Sequence, residues 1–201
     1  MAIDRERATR AVTELLEALG DDPTRSGLKK TPELVVDALA ELTRGVGVDP
    51  RELITPLSEN SPDNSRDAVV MSGINVRSLC EHHLMPFTGI AHVAYLPGET
   101  LCTLGSLARI VETFAAKPQI QERLGEEIAD ALMESLGARG ALVVLDMSHD
   151  CMSARTLQHP QSHILTIAGR GELAEPAARA EIVALLALQE SAHPLESESE
   201  A

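Results

Sequence analysis

The chain of 201 residues has no tryptophan, one tyrosine (Tyr95) and two phenylalanines (Phe87 and Phe114). Its core must therefore be built from Leu, Val, Ile, Ala and Met, and it lacks the aromatic platforms on which single-stranded nucleic acids stack. Positive charge is scarce as well: 17 Lys and Arg against 31 Asp and Glu leave a net charge of −14. Such a body repels polyanions, which excludes DNA, RNA and anionic membranes as partners. A phosphorylated small molecule would need a locally basic pocket. No window approaches the roughly 20 apolar residues of a membrane span. The opening MAIDRERATR is charged, with no apolar stretch behind it, so no secretory signal is expected and a cytoplasmic location is. Cysteine is limited to three, an odd number that favours thiolate chemistry over a disulfide framework; a Cys80–Cys151 disulfide is the alternative.

What is present reads as alternating blocks. Residues 4–19 place Ala8, Ala11, Val12, Leu15, Leu16 and Leu19 on one helical stripe that Gly20 ends. Thr31-Pro32-Glu33 reads as N-cap, first-turn proline and first-turn acid of a second helix running to about Arg44. The polar, turn-rich stretch 58–67 marks a boundary, so residues 1–66 are expected to form a helical region and 67–192 the main domain, with 193–201 a solvated acidic tail. Strands are expected over 68–80 and 87–97, helices over about 104–116 and 119–136, strands over 141–149 and 162–173, and a last helix over 176–190. Paired strands before and after paired helices predict an α+β fold with an antiparallel sheet. No internal repeat is visible.

One decapeptide concentrates metal-binding chemistry: SLCEHHLMPF, residues 78–87. Cys80 and His83 are three apart, which lets both side chains converge on one ion within a turn. Far along the chain, SHDCM brings His149 and Cys151, two apart and so on one face of an extended segment. Two thiolates and one imidazole suit Zn²⁺, and three protein ligands leave a fourth position open, as in catalytic zinc sites. His82 reads either as a surface histidine or as an acid–base group beside the ion, and His149 either as a satisfied core histidine or as such a group. Glu81 is by default a solvated charge, and Cys102 a small buried hydrophobe.

With these blocks in view the chain resembles the GTP cyclohydrolase I family, from about residue 10 to 190. SLCEHHLMPF, LARIVETFA, QIQERL and SHDCMSAR occur together, in order and at the family's separations. The resemblance implies zinc ligands at Cys80, His83 and Cys151 and catalytic histidines at His82 and His149. It implies a guanine-anchoring carboxylate at Glu122 with Gln121 beside it, and phosphate-facing arginines at Arg109 and Arg155. The implied architecture is the tunnelling fold, an antiparallel sheet with helices on one face. The implied assembly is a homo-oligomeric ring, typically a decamer of two pentamers with active sites between subunits. The implied chemistry is hydrolytic opening of a purine imidazole ring at C8, with release of formate and closure to a pterin.

The phosphate-binding positions depart from the family's pattern. Where the family has an arginine and a lysine after the Thr-Pro, this chain has Leu34 and Asp37; its Ser-Lys is Gly105-Ser106; its later Ser-Lys-Thr is Ser162-His163-Ile164. Charge-assisted hydrogen bonds contribute about 1.5–3 kcal/mol each, so losing even three of these cations costs roughly 4–9 kcal/mol of phosphate binding. Lys29, Lys30, Lys117 and Arg77 are the candidate replacements. The family's serine, implicated in the sugar rearrangement, is Gly105 here. The expected function is therefore a zinc-dependent cyclohydrolase acting on a guanine-type purine without a triphosphate. The alternatives are an ordinary GTP cyclohydrolase I yielding 7,8-dihydroneopterin triphosphate and formate, and a non-catalytic purine-binding homologue.

Overall fold

The computed structural model describes residues 3–57, 67–98, 100–154 and 162–192. It opens with α1 (Arg5–Ala18), capped by the Asp4 carboxylate accepting the Arg7 N–H at 3.0 Å, and α2 (Thr31–Leu42). Thr31, expected as the cap of α2, is its first helical residue instead, and Lys30 takes the cap position without a side-chain bond. These two helices pack on each other. A 3₁₀ turn (Pro50–Leu53) and β1 (Pro56–Leu57) follow. Residues 58–66 of the expected boundary at 58–67, and the tail at 193–201, lie outside the described residues.

The main domain is β2 (Val69–Cys80), β3 (Pro86–Leu96), β4 (Leu101–Cys102), α3 (Leu104–Ala115), β5 (Pro118–Gln119), α4 (Gln121–Leu136), β6 (Gly140–His149), α5 (Asp150–Ser153), β7 (His163–Gly171) and α6 (Pro176–Ala192). A five-stranded sheet runs in the order β5-β2-β3-β6-β7. Its four long strands are antiparallel as the sequence predicts, while the two-residue β5 adds a parallel pairing on β2. Strands β1 and β4 form a separate small pair. No helix among the described residues is long and apolar enough to cross a membrane.

Alternation along the strands decides which face is filled. Ala91, Val93 and Tyr95 of β3 and Ala141, Val143, Leu145 and Met147 of β6 meet Leu107, Ile110, Val111 and Phe114 of α3 and Leu124, Ile128 and Leu132 of α4. Each fully buried Leu or Ile here contributes about 1.5–3 kcal/mol through area removed from water. The buried Tyr95 hydroxyl accepts the Cys102 N–H at 3.0 Å, so the core's single phenol is satisfied. On the opposite face, Ala94, Leu142 and Val144 are covered at one end by Ile182 and Leu186 of α6. Helix α4 ends at Gly137, whose φ of +56° supplies the left-handed cap.

Candidate metal centre and active site

The end of the β2–β3 hairpin builds the first half of the site. The Cys80 carbonyl accepts the N–H of both His83 (3.3 Å) and Leu84 (2.8 Å), and the Cys80 N–H returns to the Met85 carbonyl at 2.8 Å. Closing so tight a turn drives Leu84 to a φ of +52°, a left-handed conformation that costs a non-glycine residue about 1–2 kcal/mol. In exchange, Cys80 and His83 point to the same side: Cys80 Sγ lies 3.7 Å from His83 Nδ1.

The second half comes from the end of β6. The register sets Phe87 opposite His149, and the two rings stack with centroids 4.7 Å apart and planes 1° from parallel. The same-face argument for His149 and Cys151 does not hold, because the strand stops at His149 and Cys151 lies in the helical turn α5. The turn, not strand pleating, swings Cys151 back towards Cys80. The donor atoms of Cys80, His83 and Cys151 all lie within 4.8 Å of one another. Tetrahedral zinc with bonds of about 2.3 Å to sulfur and 2.0–2.1 Å to nitrogen needs donors about 3.5–3.8 Å apart, so the trio fits the ion with minor closure. None of the three cysteines is in a disulfide, so the alternative Cys80–Cys151 bond is not formed.

The parallel pairing of β5 joins these halves to a third element. Cys80 stands in register with Gln119, and the Glu81 N–H donates to the Gln119 carbonyl at 3.0 Å, so α4 starts beside the metal turn. Gln121 is buried, and its Oε1 lies 2.8 Å from His149 Nε2. Its amide nitrogen faces the carbonyls of Leu145 (3.1 Å) and Ile164 (2.7 Å) and the Thr166 hydroxyl (3.0 Å). Glu122, exposed in the first turn of α4, is close enough to act on His149 electrostatically. Burial pushes the His149 pKa below its ordinary value, and the carboxylates of Glu122 and Asp150 only partly oppose that. His82 is exposed, its ring centroid 6.2 Å from that of His83.

Other expected residues fall elsewhere. Arg109 is exposed on α3 and its Nε donates to the Gly105 carbonyl at 3.3 Å. Arg155 lies outside the described residues. Asp37, expected to repel phosphate, is ion-paired with Arg5. Lys117, a candidate replacement cation, is engaged by Glu127 at 2.9 Å. Ser106, at the place of a family lysine, is fully buried and bonded to the Thr55 N–H (3.1 Å) and the Thr103 hydroxyl (2.8 Å).

Sequence reasoning missed two partners. Phe87 was part of the decapeptide, yet only the strand register reveals that it stacks on His149. Glu81, read as a solvated charge, is paired with Arg123, whose guanidinium holds its carboxyl below the usual range. The Arg123 Nε also donates to Gln119 Oε1 at 2.9 Å, while Gln119 Nε2 donates to Glu127 at 2.7 Å. The Glu–His–His and Gln–Glu–Arg blocks thus touch, which the presence of both in one sequence hinted at without showing.

Comparison with known proteins adds the following. The family model described as GTP cyclohydrolase I matches residues 8–187. A relative from Leifsonia xyli named GTP cyclohydrolase 1 is 49% identical over 91% of this chain and 95% of its own. Relatives of the same name from Streptomyces griseus and Streptococcus pyogenes are 44% and 43% identical, each over 92% of this chain and over 92% and 95% of their own. Among solved structures, the archaeosine synthase QueF-Like in its apo form aligns over 54% of this chain and 97% of its own, at 12% identity and a TM-score of 0.45.

Proposed function

The chain belongs to the GTP cyclohydrolase I family, and from that premise we propose that it is a zinc-dependent hydrolase that opens the imidazole ring of GTP at C8, releasing formate on the way to 7,8-dihydroneopterin triphosphate. The observation that carries this reading is the convergence of the Cys80, His83 and Cys151 donors at one hairpin end, beside which His149 is bonded to Gln121 at the start of α4. A mere purine binder has no use for an open metal position flanked by histidines.

Cys80, His83 and Cys151 would hold the zinc, which would supply Lewis acidity. The remaining work belongs to the chain. Glu122 would accept hydrogen bonds from the adjacent N–H donors on guanine's pyrimidine edge, which adenine does not present, and the N-terminus of α4 favours its negative charge. His149, kept neutral near pH 7 by burial, is ready to accept a proton, and the Phe87 ring shields one of its faces from water. His82, exposed next to His83, serves as the second proton-transfer group. Arg109 and Arg155 would face the phosphates. Each site is proposed to be completed by a neighbouring subunit, in a ring that is a decamer of two pentamers, as the family resemblance implies. In this reading residues 67–192 are the catalytic domain, residues 1–66 a helical region and 193–201 a tail, in a cytoplasmic enzyme.

A second reading is favoured by one observation: Ser106, at the place of the family's lysine, is turned inward to Thr55 and Thr103, so its side chain offers nothing to a phosphate. It gives the same ring opening on a guanine-type purine without a triphosphate. One assay separates the two. Zinc-loaded protein is offered GTP, GMP, guanosine and guanine, with formate and neopterin fluorescence recorded. GTP turnover with a fluorescent product supports the first reading. Formate from a non-phosphorylated purine with GTP inert selects the second, and no formate from any of them rejects both.

A further inference from the structure

The geometry points to Gln121 as a positioning residue: we propose that its amide holds the His149 imidazole in the Nε2–H tautomer and leaves Nδ1 as the nitrogen that exchanges protons with the substrate. Gln121 stands next to Glu122, where a second contact to the base would be expected, but its amide is committed inside the chain. It is 2% exposed. Its Nε2 faces two backbone carbonyls, Leu145 O at 3.1 Å and Ile164 O at 2.7 Å, with the Thr166 hydroxyl at 3.0 Å.

Carbonyl oxygens can only accept, so these partners decide the orientation of the amide. Turned the other way, Gln121 would set its own oxygen against two carbonyl oxygens in a buried place. Both amide hydrogens would then lack those acceptors. The oxygen must therefore face His149, 2.8 Å from its Nε2. An amide oxygen cannot donate, so His149 Nε2 must carry the hydrogen. A neutral imidazole has only one, and Nδ1 is left with its lone pair.

A further contact holds the ring in that pose. Its plane lies 1° from that of Phe87, itself fully buried, so a partial turn about the last side-chain torsion would break the stack, and a half-turn would carry Nε2 away from the Gln121 oxygen. The carbonyls that orient Gln121 come from β6 and β7. The pairing of those two strands is thus what sets a proton on a histidine two residues before the Cys151 thiolate.

The assignment of Nδ1 to proton transfer rests on the proposed function, whereas the tautomer does not, and the test keeps them apart. Zinc-loaded, ¹⁵N-histidine-labelled protein is sedimented and examined by solid-state ¹⁵N NMR at pH 8, with the His149 signals assigned by their loss in His149→Asn. The expected result is a protonated Nε2 and a bare Nδ1. A bare Nε2 in the wild-type chain overturns the inference, and this measurement needs no Gln121 variant to fold. In Gln121→Met, which fills the same volume without hydrogen bonds, the Nε2–H preference should disappear. In that variant kcat should fall by about 10–100-fold while KM for GTP changes less than about threefold, the split expected when proton transfer and not binding is impaired. A variant with unchanged kcat and a KM raised about tenfold would instead make Gln121 a substrate contact and overturn it. A wild-type chain inert towards GTP but carrying Nε2–H at His149 defeats the function and leaves the tautomer standing.

Discussion

Cys80 and Cys102 are both buried thiols, and what surrounds them gives them opposite roles. Cys102 Sγ donates to the Thr103 carbonyl at 3.2 Å, and burial pushes its pKa up, so it stays a neutral thiol and a packing residue. Cys80 instead faces His83 and Cys151 across a gap of ion size. Cys151→Ser is accordingly expected to reduce bound zinc from about one ion per chain to a small fraction, because a hydroxyl is a far poorer donor than a thiolate. Cys102→Ser should leave the metal content unchanged, and elemental analysis of the two purified variants checks the pair. Equal zinc in both would remove Cys151 from the ligand set. Glu122→Gln should lower kcat/KM for GTP by about 10–100-fold, the loss of one charge-assisted pair of hydrogen bonds. Unchanged turnover would take Glu122 out of the pocket. The ligands were legible because Cys-x-x-His is a local spacing. For the second Cys the same-face argument failed, since only the helical turn after His149 brings it round, while the family resemblance put it rightly in the ligand set. Gln121's inward commitment was not legible at all, because its partners Leu145, Ile164 and Thr166 lie at least 24 positions away in sequence.

At the scale of elements, the site depends on a two-residue strand. The long helices and strands were readable from period and turn residues, and their observed ends fall within a few residues of expectation. Strand β5 was not, because two residues carry no periodicity and their parallel pairing is decided by what β2 presents. Gly89 shows the same limit: a Cβ there would stand 2.0 Å from the Asp146 carbonyl oxygen, a crowding that only the β3–β6 crossing creates. The start of α4 is held to the metal turn by the Arg123–Glu81 ion pair and the Gln119 amide. Arg123→Met should weaken zinc retention, read as faster loss of the ion to a chelator, with little change in melting temperature of the chelated chain. Equal rates of loss in both proteins would show that the hydrogen bonds of β5 suffice. The pH dependence has a definite sign. Arg123 depresses the Glu81 pKa in the folded chain, so this pair's support is present above the ordinary carboxylate pKa and is lost as pH falls through the lowered one. Chelator-driven zinc loss from the wild type should therefore accelerate more steeply below about pH 4 than ligand protonation alone gives. Arg123→Met should lack that extra acceleration.

On the scale of the whole molecule, the sheet leaves a long strand unpartnered. Strand β7 forms the edge of the order β5-β2-β3-β6-β7, and no strand pairs with its outer side among the described residues. It exposes Leu165 (63%) and Ile167 (40%), although the chain carries enough charge to guard an edge if guarding were wanted. Chains that stay single blunt such edges with lysine or proline. Leu165 and Ile167 stand on the sheet face that carries Leu142 and Val144; if the proposed ring covers this side of β7, it must do so against the mutual repulsion of bodies of net charge −14. The repulsion is screened by salt, so assembly should tighten as ionic strength rises from about 0.01 to 0.15 M, where the Debye length shrinks from about 30 to 8 Å. The joint substitution Leu165→Lys and Ile167→Lys exchanges exposed side chains and should leave the single chain folded, with an unchanged far-ultraviolet circular dichroism spectrum. Light scattering after size exclusion should then report a smaller species than the wild type. Turnover should fall with the mass if a neighbour's Arg109 completes each site, and should survive if every site is built within one chain. Retention of both mass and turnover would mean that subunits meet elsewhere, and that β7 is an edge the fold simply tolerates.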